Sequence, residues 1–212
     1  MKSFKSFIEE KTMAAAALGG IIGGVALGLA GSPQQKQEIT QPQTQQTQQT
    51  QQASPKKTKP EAWRALISSS EGFRSKAYWD STGKVWTIGK GSTTHPDGRP
   101  VTQTDSITAE QADEYMEHYV NKNLIPKLEK IPTWGKINDN QRGALISFGY
   151  NVGPNFYNSR GYETITKALS SEESLNNVPV ALKLYNKSGG KVLPGLVKRR
   201  QAEGVLWGTP VD

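Results

Sequence analysis

The sequence predicts an α+β fold with its parts segregated along the chain. Three observations carry this. Helical periodicity gives way to strand-like runs just after Gly72, and helical patterning returns from Ile107 onward. Turn-forming residues cluster between those two regimes. The first 57 residues lack the apolar content to build a core. The expected architecture is one folded domain over residues 58–212, a small antiparallel β lobe and a larger helical lobe with a cleft between them. A disordered tail precedes it.

That tail divides in two. Residues 1–30 hold a charged head with Lys2, Lys5 and Lys11, then the uncharged run MAAAALGGIIGGVALGLA from Met13 to Ala30. The run has the minimum length for a bilayer-spanning helix but is only weakly apolar. It reads as a weak anchor with its lysine side in the cytoplasm, as a cleaved signal ending at Gly28-Leu29-Ala30, or as neither. Residues 31–57 are a Gln/Thr-rich linker; TQPQTQQTQQTQQ contains no apolar residue and predicts disorder.

The domain opens with a capping box, Thr58 to Glu61, with Pro60 in the first turn. Trp63, Leu66 and Ile67 follow at helical spacing as core candidates, and Gly72 stops the helix so that Glu71 is its last residue. Ala77–Trp79 and Val85–Ile88 flank Ser81-Thr82-Gly83, a hairpin signal. The glycines and prolines from Gly89 to Pro100 predict a turn or short strand. Thr108 and Gln111 cap the next helix, with Ile107 and Ala112 as a hydrophobic staple. Its stripe of Ala112, Tyr115, Met116 and Tyr119 extends to Leu128 unless Pro126 kinks it. Further helices are expected over 138–150, capped by Asn138 or Asp139, and over 160–170, 179–187 and 196–207. Gly189-Gly190 is expected to end the helix before the last. Trp134 and Trp207 read as helical core.

Composition narrows the function. The 212 residues contain no cysteine and two histidines, His95 and His118, so no disulfide, thiolate or His-rich metal site is expected. No cofactor is implied. Net charge is +7, which suits an anionic polymer. Nucleic acid is not expected as a partner, because no basic stripe interleaves with aromatics and no binding motif is present.

The chemistry concentrates in Glu71–Ser92, EGFRSKAYWDSTGKVWTIGKGS. Glu71 meets the negative end of its helix dipole, and Phe73 and Trp79 offer desolvation. Both disfavour ionisation and suit a general acid. Asp80, at the hairpin mouth, is expected in a polar, solvated setting, ionised and able to hold or activate water. Thr87, on the second strand, offers a hydroxyl. Two carboxylates and a water-holding hydroxyl are what cleavage of a glycosidic bond needs. Singly, each has a plainer explanation: a helix end, a turn preference, a strand former. Tyr78, Trp79, Trp86 and Tyr150 are candidates for stacking on sugar faces, with packing as the plainer role.

In combination these residues resemble the active-site segment of phage-type lysozymes, the endolysins of glycoside hydrolase family 24. Asn138–Gly153, NDNQRGALISFGYNVG, resembles the family's helix ending in an aromatic-Asn-Val-Gly turn. Gly189–Gly208, GGKVLPGLVKRRQAEGVLWG, resembles its C-terminal GLxxRRxxE signature. The resemblance spans residues 60–208 and implies a lysozyme-like fold. It implies a muramidase that cleaves the β-1,4 bond between N-acetylmuramic acid and N-acetylglucosamine in bacterial peptidoglycan. It gives Glu71 as general acid, Asp80 as second carboxylate and Thr87 as the hydroxyl that holds water. Asn151 becomes a cleft residue binding substrate, alongside Tyr150 and Trp79. Arg199 is the arginine supporting Glu71, with Lys198 or Arg200 as alternatives. Two departures stand out. Ser92 replaces a common His, and the Asp-to-Thr spacing is one residue longer than in the T-even phage member. Thr82 is the fallback hydroxyl.

The expected role is cell-wall lysis by a phage enzyme, with peptidoglycan as partner. The inner membrane is a second possible partner through residues 13–30, and the enzyme is expected to be a monomer. The N-terminal segment resembles the weak anchors of signal-arrest-release endolysins, placing the enzyme at the inner membrane facing the periplasm; host cytoplasm or virion are the alternatives. Two other functions fit the same residues: a lytic transglycosylase using Glu71 alone, and a non-catalytic peptidoglycan-binding module.

Overall fold

A computed structural model describes residues 60–211 apart from Thr82. The segment 13–30, the linker 31–57, the Thr58 cap and the fallback Thr82 lie outside the described residues. Helix α1 runs Pro60–Glu71 and stops at Gly72, whose φ of 69° is open to glycine at little cost. It buries Trp63 and Ile67 and half-buries Leu66. Ile67 is wholly enclosed, a contribution of about 1.5–3 kcal/mol.

Strands β1 (Arg74–Asp80) and β2 (Val85–Gly89) form an antiparallel hairpin longer than the one expected. Tyr78 pairs with Thr87, Trp79 with Trp86, and Asp80 with Val85. Side chains alternate across a strand. Tyr78, Asp80, Val85 and Thr87 therefore share one face, and Trp79 and Trp86 share the other. On the second face Trp86 and Ala77 cover a small core of Ile88, Val101, Ile107 and Ala112. The segment after β2 makes isolated bridges only, Ile88 to Ser92, Thr94 to Pro100 and Lys76 to Ser106. His95 ties it down, bonded to the Tyr115 hydroxyl at 2.7 Å and to Asp105 at 2.9 Å.

Helix α2 (Ala109–Tyr119) starts with the expected Thr108–Gln111 capping box. It passes into a π-helical turn, Val120–Leu124, and then α3, Ile125–Leu128. Proline has no N–H to donate, and its ring clashes with the carbonyl four residues back. The wider turn lies just ahead of Pro126, and the chain stays helical on either side of it. Leu124 in that turn packs onto Gly149 of α4 (Asp139–Val152), where a Cβ would lie 2.7 Å from the Leu124 Cδ1.

Helix α4 is capped by Asn138 with Gln141 and is buried along its whole length from Arg142 to Val152. Such a helix belongs at the centre of a bundle. Helix α1 and the last helix, α7 (Pro194–Gly208), pack on it and on each other. Trp134 and Trp207 belong to this core, as expected. Between lie α5 (Glu163–Ala168), a 3-10 turn (Glu172–Asn177) and α6 (Val178–Lys183).

One expectation is corrected. The helix before the last ends at Lys183 rather than 187. Lys187–Ser188 (β3) and Lys191–Val192 (β4) pair as a miniature hairpin around Gly189-Gly190. Both glycines have positive φ, 56° and 79°, as a tight two-residue hairpin turn demands. No helix among the described residues is long and apolar enough to cross a membrane.

Gly149→Ala forces the new methyl into Leu124. It is expected to cost about 1–3 kcal/mol, read as a lower denaturation midpoint with an unchanged m-value.

Candidate active site

Glu71 ends α1 with its side chain 10% exposed. Arg199 of α7 donates from Nη1 to Glu71 Oε1 at 2.6 Å. The same guanidinium donates from Nη2 to the Ser147 carbonyl at 2.9 Å and from Nε to Glu203 Oε1 at 3.2 Å. The arginine facing Glu71 is thus Arg199. Lys198 is exposed. Arg200 points elsewhere, donating from Nη2 to Asn151 Oδ1 at 2.5 Å. Its Nη1 lies 3.0 Å from Glu203 Oε2, a charge contact off the hydrogen-bonding direction.

Glu203 is the centre of this network. It is completely buried, and Ser147 Oγ donates to its Oε1 at 2.8 Å. Glu71, Glu203, Arg199 and Arg200 form a two-against-two charge cluster in which Arg199 meets both carboxylates. Burial draws the Arg199 guanidinium down, but the charges of Glu71 and Glu203 outweigh it and hold it above its usual value. For Arg200 burial wins over Glu203, and its proton affinity falls to about 10.

On the hairpin, register puts Asp80 and Thr87 on one face, as catalysis by the pair would require. Their surroundings differ from expectation. Asp80 is 2% exposed rather than solvated, because it is folded into its own turn, accepting the Gly83 N–H at 3.4 Å. Thr87 is fully buried, with a long contact of 3.5 Å from its hydroxyl to the Val85 carbonyl.

Asn151 is buried at the end of α4, its amide oriented by Arg200. Tyr150 is corrected as a sugar-stacking residue: no ring face is open. It is wholly buried, packed edge-on with Tyr119, and its hydroxyl donates to the Lys90 carbonyl at 3.0 Å. Burial, and next the charge of Glu71, push its phenol well above the usual range. Trp79 is corrected in position. It is half-exposed, but strand alternation puts it on the opposite face from Asp80 and Thr87, edge-on to Trp86. On the face that carries Asp80 and Thr87 the aromatic ring is Tyr78, with the Arg74 guanidinium 4.6 Å from its centroid.

Lys90 links the two lobes. Its ammonium binds Ser68 of α1 at 2.7 Å and pairs with Asp113 of α2. Sequence reasoning gave Glu203, Ser147 and Lys90 no role. The signal for Glu203 was its spacing, three and four residues after two arginines on one helix, which places all three side chains on one side. Nothing local marks Ser147 or Lys90. Among the described residues no group of three or more His, Cys, Asp or Glu is placed to hold a metal ion.

Removing Arg199 strands Glu71 in a nearly closed site. Arg199→Met is expected to cost about 3–5 kcal/mol, measured by urea unfolding at neutral pH.

Comparison with known proteins agrees with this geometry. The phage lysozyme family model matches residues 68–203. The endolysin of Bacillus phage B103 is 37% identical over 145 residues, 67% of this chain and 51% of the endolysin. That of Lactococcus phage c2 is 33% identical over 151 residues, 69% of this chain and 58% of the endolysin. The chain thus spans little more than half the length of these relatives. Among solved structures, a P22 lysozyme variant superposes with a TM-score of 0.57 at 26% identity, covering 70% of this chain and 97% of that one. The family match over residues 68–203, the endolysin relatives and the lysozyme-like fold show that the chain belongs to the phage lysozyme family.

Proposed function

We propose that the protein is a peptidoglycan hydrolase of phage lysis, a muramidase that cleaves the β-1,4 bond between N-acetylmuramic acid and N-acetylglucosamine. The observation that carries the reading is the setting of Glu71. A carboxyl at the end of a helix, nearly closed off from water, is followed directly in the chain by a hairpin whose register puts Asp80 and Thr87 together on one face. Glu71 protonates the leaving glycosidic oxygen. Asp80 is the second carboxylate, and Thr87 helps hold the water that completes hydrolysis. Arg199 keeps Glu71 in place and balances its charge. When Glu71 takes up the proton it donates, Arg199 is not stranded, because Glu203 and the Ser147 carbonyl still hold it. Asn151, oriented by Arg200, is assigned to the substrate side of the helical lobe. Residues 13–30, with the lysines before them, support export and tethering at the inner membrane with the domain on the periplasmic side.

The full-length protein is expected to clear outer-membrane-permeabilised cells, and Glu71→Gln to lower the rate by about a hundredfold or more. Its muropeptides should carry reducing ends. Anhydro ends would assign it as a transglycosylase instead, and binding to wall fragments without any cleavage would make it a peptidoglycan-binding module. For the tether, deletion of residues 1–32 should move the protein from the membrane to the soluble fraction; equal soluble yields would reject that part.

A further inference from the structure

Glu203 is a titratable group, completely buried, that the proposed reaction does not use. Its surroundings suggest what it does. Arg199 has two carboxylate partners, Glu71 at 2.6 Å and Glu203 at 3.2 Å, through different nitrogens of one guanidinium. Glu203 has two arginine partners, Arg199 and Arg200. Ser147 adds a hydroxyl donor to the oxygen that faces Arg199. Arg199 is shared between two anions of one cluster, and whatever strengthens its bond to Glu203 weakens its hold on Glu71. An arginine that served Glu71 alone would fix that group as an anion, which cannot donate a proton.

We infer that Glu203 is a positioning residue for the catalytic acid: it competes for Arg199 and so leaves Glu71 able to carry the proton it donates. The inference rests on the proposed muramidase reading. Glu203 touches neither substrate nor the reacting atoms; it acts through Arg199. Of the other titratable groups, Tyr150 on α4 feels the charge of Glu71, the hairpin carries Tyr78 and Asp80, and Lys90 is bonded to Ser68 on α1. Arg200 completes the cluster and has the opposite effect, since it draws Glu203 away from Arg199.

The test is the pH profile of kcat and kcat/KM on purified peptidoglycan, using the full chain. Glu203→Gln leaves Glu71 as the sole carboxylate on Arg199. The alkaline limb, where the general acid loses its proton, should move to lower pH by about one unit. The rate above that limb then falls about tenfold, with little change in KM. Glu203→Asp should restore part of the shift. If the single variant does not fold, Arg200→Met/Glu203→Gln removes one charge of each sign and keeps the cluster neutral, and its limb should lie at lower pH than that of Arg200→Met alone. Ser147→Ala frees the Glu203 oxygen for Arg199 and should move the limb the other way, to higher pH. A limb that stays in place in every folded variant, with rates lowered equally at all pH values, would overturn the inference and leave Glu203 a packing residue. If wild type makes no cleavage product at any pH, the muramidase reading itself fails. That outcome is separate, because the inference is judged only on shifts between active variants.

Discussion

The rest of the structure depends on one buried charge cluster. Glu71 and Glu203 face Arg199 and Arg200 in the heart of the helical lobe, where unpaired ions would be expensive. The pairing joins α1 to α7 directly, and α4 to α7 through Ser147 and Asn151. Those three helices pack on one another, with α6 packed on α7 besides. A stretch of core that carries four charges is stable only when every one is placed. The cluster therefore fixes the relative position of three helices more tightly than apolar contact alone would, apolar contact being tolerant of small slides. Glu71 inherits that precision.

The smaller lobe solves a different problem. Its core is only four buried residues, Ile88, Val101, Ile107 and Ala112, with aromatic cover from Trp86 and Tyr115. So small a core needs polar pins. His95 between Tyr115 and Asp105 holds the irregular segment after β2, and Lys90 ties that segment to α1 and α2. The two carboxylates come from separate elements, Glu71 from the end of a helix and Asp80 from the end of a strand.

Much of this was legible in the sequence, and the reason is local. Glu71 sits before a glycine that ends a helix whose apolar positions are unambiguous. Asp80 and Thr87 flank a hairpin signal, and once strand pairing is known their common face follows from alternation. The capping boxes at Thr108 and Asn138 are read from four residues each. What the sequence did not carry was long-range. Tyr150 and Trp79 are both aromatic neighbours of site residues, and no local pattern tells a wholly buried ring from a half-exposed one on the far face. Glu203 was visible as part of a motif and its two arginines lie on the same helix, but Ser147 comes from α4, and the second carboxylate on Arg199, Glu71, comes from the other end of the domain. The Gly189-Gly190 pair signals a chain break; whether a helix end or a hairpin turn follows depends on the short polar stretch before it.

The bond between Glu71 and Arg199 closes a loop of 128 residues. A ribosome makes Glu71 well before Arg199. Until α7 has emerged and docked, α1 carries a carboxylate with no arginine behind it, and α4 lacks a main packing partner. The Glu71–Arg199 pair is therefore assembled only once α7 is in place. A chain severed between α6 and α7 holds the hairpin and Asp80 but leaves Glu71 without its arginine. Under the proposed function, docking of α7 is the step that completes the site.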